Sequence, residues 1–287
     1  MPLISREQMI SAYMQACELE LQAFKPGNVS VYADGHDMTV EDFRISAKVS
    51  AEPITDPAYS LGQKIYYAVK ATREAVHCNT NLGILLLSAP LMQTIENYQQ
   101  KLSLRECLTN ILQQTTVEDA VWVFKAIALA SPGGLGESEQ QDVNNQPEVT
   151  LTQAMKIASN RDRIARQYIN NYKDVFEIMV LRYNFWLNRW ADQKWAATAV
   201  YVDFLSQFPD SHIERKYGNQ FTDFVSVSMK NVNAELSSAD RPEQILPMLY
   251  DIDTKFKSNG VNPGTTADLT VATLLTVELM QLVTDLT

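Results

Sequence analysis

The sequence predicts an all-α fold, a single-domain multi-helix bundle over residues 1–287. Three observations predict it. Apolar residues recur at spacings of three and four along most of the chain, the period of an amphipathic helix. The period-two alternation of a half-buried strand is nearly absent. Glycine and proline gather at 25–27, 132–136, 209–218 and 260–264, between the periodic stretches.

The elements follow in order. Ile10, Tyr13, Met14, Cys17, Leu21 and Phe24 form one helical face that ends at Lys25-Pro26-Gly27. Thr39-Val-Glu-Asp42 opens a second helix, and the same four letters recur at Thr116–Asp119. Both read as capping boxes, in which the threonine oxygen accepts an orphan N–H and the acid suits the positive helix end. Their flanks differ, so the recurrence is a shared capping solution and not an internal repeat. Ile84 to Leu87 reads as a core helix after an Asn/Gly start, since leucine favours helix over strand. Ala120, Val123, Phe124, Ile127 and Ala128 give the next helix its face. Ile164, Tyr168, Tyr172, Val175, Phe176 and Met179 mark one long helix after residue 151, their rings assigned to the core. Residues 194–208 and 221–236 read as helical, and the last helix starts near Thr265 or Thr266 and is apolar almost all round through Val283, as a buried helix is. Gly133 to Thr150 is the long loop.

Composition limits the function classes. The chain is 46% hydrophobic and 20% charged with a net charge of −10, an ordinary globular balance. The acidic balance argues against broad affinity for nucleic acid or an anionic membrane, while leaving room for a local basic pocket. Cys17, Cys78 and Cys107 are odd in number and lack metal or redox spacing, as expected of reduced thiols in a cytoplasmic protein. No signal peptide is read at the N-terminus, and no apolar tract is read as a membrane span.

The unusual residues sit at the helix junctions. Lys25 can meet an anion, and His36 beside Asp37 can act as acid, base or metal ligand, or Asp37 can simply cap the next helix. Asn79, Thr80, Asn81 and Gly83 open a helix, where free N–H groups suit phosphate, or where an Asn cap and a close-packing glycine suffice. Pro132 to Gly136 is glycine-rich but is neither a Walker loop nor a dinucleotide fingerprint. Arg163 and Arg166, three apart, share a helix face that can fork onto polyphosphate or carry surface ion pairs. Asp210 and His212 can orient each other, with Arg215 and Lys216 adding positive charge. Thr265 and Asp268 form a third capping-box pattern, the alternative being that Asp268 holds a divalent ion.

The order of these stretches carries more than any one of them. "KPGNVS" then "GHDM", "NTNLG", "GGLG", "DSH" with "RK", and "NPGTTADL" together resemble the triphosphoribosyl-dephospho-CoA synthase family, from Ala16 to about Leu275. The resemblance implies an all-α enzyme, a transferase that moves the triphosphoribosyl group of ATP to the 2′-hydroxyl of dephospho-CoA and releases adenine. It implies ATP as substrate, Mg²⁺ with its triphosphate, and a small-molecule acceptor, with no nucleic acid or membrane partner and homo-oligomerisation left open. Asp37, His36 and His212 become the catalytic candidates, and Asp37 and Asp268 the metal candidates. Lys25, Asn28, Asn79, Thr80, Asn81, Arg163, Arg166, Asp210, Arg215 and Lys216 become the substrate contacts. The familiar branch writes His and Lys after its Asn-Thr, where this chain has Asn81 and Leu82. The same fold acting on another cofactor precursor, in a one-carbon or pterin pathway, is the alternative, and a non-catalytic helical binding protein is the rival from another class.

Overall fold

The computed structural model describes residues 3–35, 38–132, 143 and 145–286. The helices are α1 (Arg6–Gln22), α2 (Val40–Ile54), α3 (Leu61–Val76), α4 (Leu82–Glu96), α5 (Leu104–Gln113), α6 (Val117–Ala130), α7 (Leu151–Ala158), α8 (Arg163–Asn170), α9 (Val180–Trp190), α10 (Gln193–Gln207), α11 (Ser211–Tyr217), α12 (Thr222–Ser238), α13 (Leu246–Ser258) and α14 (Gly264–Thr284). Among the described residues no strand forms; the extended pairing is limited to the isolated bridges Ser30–Ala33 and Gly35–Met38.

The fold is centred on α4 and α14, which pack on each other; α1 packs on both, α3, α5 and α8 on α4, and α10 on α14. α4 is buried along most of its length, from Leu82 to Ile95. α14 tolerates its threonines inside the core because Thr270, Thr273 and Thr276 donate to carbonyls four residues back, at 2.7–2.8 Å. By length and composition alone α14 could cross a membrane; here it packs against α1, α4 and α10.

Both predicted Thr-Val-Glu-Asp capping boxes form, at α2 and α6. The second does more than cap. Asp119 accepts from Thr116 through one oxygen and from the Gly62 N–H, at 2.9 Å, through the other, which ties the start of α6 to the start of α3.

The single long helix expected after residue 151 is divided. α7 ends at Ala158, Asp162 caps α8 through the Ala165 N–H at 3.0 Å, and Asn171 closes α8 in the left-handed region at φ 54°. A π-helical stretch, Asp174–Met179, then leads into α9. The apolar face runs through all these pieces, so the periodicity was continuous where the backbone was not. Local side-chain bonds from Asp and Asn compete with the helix ladder at both breaks.

Tyr168 and Tyr172 are fully buried, as expected of core residues, and their hydroxyls have partners. Pro90 has no N–H, which frees the Leu86 carbonyl inside α4. Tyr168 donates to that carbonyl at 2.6 Å and Tyr172 to the Leu87 carbonyl at 2.9 Å.

Candidate functional site

A cavity of about 650 Å³ opens where the junctions meet, the size of a small-molecule site. It draws on the loop after α1, the start of α4, the loop before α8, α11 and the start of α14. Among the predicted residues it brings together Asn28, Asn79, Thr80, Asn81, His212, Arg215 and Asp268. His36 and Asp37 lie outside the described residues, as does most of the Pro132–Gly136 cluster.

Each side chain is held for a readable reason. Asn28 donates its amide N–H to Asn262 Oδ1 at 2.8 Å, joining the first junction to the last. Asn79 accepts from the Leu82 N–H at 3.2 Å, in the first turn of α4. Thr80 donates to Ser46 Oγ at 2.6 Å and Asn81 to Ser50 Oγ at 3.4 Å, so both are tied back to α2 while they line the cavity. Ser50 in turn meets the Tyr13 hydroxyl at 2.9 Å.

Gly83 explains the glycine of this stretch. A Cβ there would lie 2.0 Å from Asp268 Oδ2 and 2.7 Å from Ile164 Cδ1. The start of α4 and the Asp268 carboxyl thus meet with no space for a methyl group.

Asp268 is not part of a capping box. α14 begins at Gly264, so Thr265 already lies inside the helix, where its hydroxyl meets Ser211 Oγ at 3.0 Å. Asp268 falls one turn further on, facing Gly83. Burial raises its carboxyl well above the usual carboxylate range; the charges of Asp210, Glu20 and Asp162 add to the rise and Arg215 opposes it. A carboxyl that holds its proton more tightly folded than unfolded stabilises the fold below the ordinary carboxylate range. That contribution is lost as pH climbs through the folded value. Asp268→Asn cannot ionise. Without nucleotide or divalent cation, its Tm is expected to match wild type near pH 4 and exceed it near pH 8, by roughly 2–4 °C for each kcal/mol relieved. Thermal melts at the two pH values check this, and a Tm difference independent of pH would refute it.

His212 and Arg215 form a polar wall. Arg215 donates through Nη1 to Asp162 Oδ2 at 3.2 Å and lies 3.3 Å through Nη2 from His212 Nδ1.

The structure places the other predicted residues elsewhere. Lys25 is fully buried; its ammonium donates to the Val29 carbonyl at 2.7 Å and pairs with Glu20 at 3.1 Å. Burial opposes both charges, lowering the lysine and raising the acid. Arg163 pairs with Asp174 at 2.8 Å and lies over the Phe208 ring at 3.9 Å. Arg166 donates to the Ser159 carbonyl at 3.0 Å. Lys216 sits over the Tyr217 ring. Asp210 is buried behind the wall and accepts four hydrogen bonds, from the His212 and Ile213 N–H groups and from the Thr266 N–H and hydroxyl. Burial raises its carboxyl, and those bonds oppose the rise.

Sequence reasoning missed Glu20, Arg161, Asp162 and Asn262, all on the cavity wall. Glu20 was findable, being an acid three residues after Cys17 on an otherwise apolar helix face. Arg161 and Asp162 were hidden by the continuous periodicity, which drew attention to Arg163 and Arg166 instead.

Comparisons with known proteins identify the family. No curated protein is significantly similar to the chain. A crystal structure from Archaeoglobus fulgidus, provisionally named a triphosphoribosyl-dephospho-CoA synthase, shares the fold with a TM-score of 0.63 at 24% identity, over 81% of this chain and 95% of that one. Residues 6–285 match the family CitG, described as ATP:dephospho-CoA triphosphoribosyl transferase. With nearly its whole length matched, the chain belongs to the ATP:dephospho-CoA triphosphoribosyl transferase family.

Proposed function

We propose that the protein transfers the triphosphoribosyl group of ATP to the 2′-hydroxyl of dephospho-CoA, and that the cavity is where it does so. The observation that carries this reading is the convergence of four separated stretches, at Asn79–Gly83, Arg161–Asp162, His212–Arg215 and Asn262–Asp268, on one cavity in a chain of this family.

In the reaction the glycosidic bond between the ribose anomeric carbon and adenine breaks. A new bond forms from the acceptor oxygen to that carbon, and the hydroxyl proton ends on the departing adenine. Positive charge grows on the sugar as the bond breaks. The Glu20 carboxylate, anchored to the cavity wall by Lys25, offsets that charge. Arg161 and Arg215 meet the triphosphate, whose oxygens suit the guanidinium fork. Asn28, Asn79, Thr80 and Asn81 orient the sugar. His212, on the same wall, is placed to take the acceptor hydroxyl's proton and pass it on toward the departing adenine. Lys25, Arg163, Arg166 and Asp210 support the site from behind, and Lys216 stays on the exposed face of α11.

Among the described residues no three of His, Cys, Asp and Glu converge as a metal cage. Mg²⁺ needs none, since it keeps most of its shell as water and phosphate oxygen and takes only one or two carboxylates. Asp268, on the cavity wall, is the described carboxyl that would hold it once ionised, and Asp37 remains a candidate outside the described residues. The ion when bound would neutralise triphosphate charge. The helices act as one domain, a reading supported by the hydrophobic cluster that runs from Ile4 to Leu279, and the biosynthetic family supports a cytoplasmic setting.

Incubation with ATP, Mg²⁺ and dephospho-CoA, followed by chromatography, tests the reading. Free adenine and triphosphoribosyl-dephospho-CoA are expected in equal amounts. Adenine release only with another acceptor would refute dephospho-CoA as the substrate, and ATP binding without release would refute the transfer itself.

A further inference from the structure

Beyond its polar wall the cavity has a second, apolar end. α4 packs on α6, α6 on α7, α7 on α8 and α8 back on α4, a closed ring of helices. Leu86, Val123, Ile127, Leu151, Met155 and Ile164 face the cavity from these four helices. The charged wall residues come instead from the end of α1, the loop before α8, α11 and the start of α14. The two ends join at Asp268, where Gly83 and Ile164 crowd one carboxyl.

We infer that this apolar lobe is the subsite for the purine base of the nucleotide donor, which it holds by burial and not by charge. The assignment rests on the transfer reading above and follows the donor's own order. A nucleoside triphosphate runs from polyphosphate through sugar to base. With the phosphates at Arg161 and Arg215 and the sugar at the Asp268 junction, the base lies among the helices. Ala154 and Ala158, one turn apart on α7, both line the cavity and leave a smooth face for a flat ring. A base filling the apolar lobe would also displace water from beside the sugar while the glycosidic bond is open. Adenine leaves as a neutral molecule, and the lobe's apolar lining suits both its retention before bond cleavage and its release afterwards.

Isothermal titration of the full-length protein with adenosine in the presence of saturating dephospho-CoA, which occupies the acceptor's own adenosine site, and separately with inorganic tripolyphosphate, reads the two ends independently. Ala154→Phe is expected to weaken adenosine binding about tenfold or more and to leave tripolyphosphate binding within about twofold. Arg215→Ala is expected to do the reverse. Ala158→Phe, at a partly exposed position, reports the same adenosine loss should Ala154→Phe fail to fold. Unchanged adenosine affinity in the folded variants would overturn the assignment. So would a raised KM for dephospho-CoA with the KM for ATP unchanged, since the lobe would then serve the acceptor. Adenine release by the wild-type protein is measured alongside. Its absence would refute the transfer reading alone, because adenosine titration tests the base subsite without turnover.

Discussion

Gly83→Ala is expected to lower kcat/KM about 100-fold while the protein stays folded. The added methyl would lie 2.0 Å from Asp268 Oδ2 and 2.5 Å from its Cγ. Neither neighbour can yield without consequence: Asp268 stands on the buried first turns of α14, and Ile164 packs in the core. The carboxyl must therefore swing away from the junction between the polar wall and the apolar lobe. A displacement of about 1 Å at a reacting centre is enough to cost two orders of magnitude. The backbone at Gly83 is ordinary helix, so alanine itself suits it and the loss is one of space. Steady-state kinetics with a circular-dichroism melt check this; near-wild-type kcat/KM in a folded variant would refute the role given to this contact.

Asp210→Ala is expected to destabilise the protein by about 3 kcal/mol, from two lost helix-start caps and an unpaired buried threonine hydroxyl. That corresponds to a fall in Tm of roughly 6–12 °C for a chain of this size. One oxygen of Asp210 caps α11 through His212 and Ile213, and the other takes the N–H and hydroxyl of Thr266 in α14. The same carboxylate fixes the start of the helix that bears His212 and Arg215, so activity is expected to fall with stability. Asp210→Asn should fall between, because its amide keeps only one accepting oxygen. A thermal melt of Asp210→Ala indistinguishable from wild type would sink the argument.

The fold class was legible because helical periodicity and caps are local. The Thr39 and Thr116 boxes could be read letter by letter, and both form. Helices α3, α5, α11 and α13 were not assigned from the sequence. In α11, seven residues between Pro209 and Gly218 are too few to display a period. The Thr265–Asp268 pattern shows the limit of local reading from the other side. The letters of a capping box were present, but α14 starts at Gly264 because Asp210, more than fifty residues earlier, binds Thr266.

The site was legible in its small polar residues and less so in its cations. Asn28, Asn79 and His212 stand at chain junctions, and junctions are where this fold places its cavity. Lys25 and Arg163 look alike from the sequence, as positive charges near turns. Each is instead neutralised by an acid in the interior, Glu20 for the lysine and Asp174 for the arginine. Whether a cation faces a ligand or a buried carboxylate depends on tertiary neighbours, which spacing does not encode.

The contact between Pro90 and Tyr168 bears on how such a sequence changes over generations. Beside Pro90, phenylalanine at 168 would strand the Leu86 carbonyl, whereas a residue with an N–H at position 90 would give that carbonyl a helix donor and still leave its second lone pair to the tyrosine, as at Leu87 and Tyr172. The dependence runs one way, so across descendants of this chain the tyrosine is expected to persist wherever the proline does.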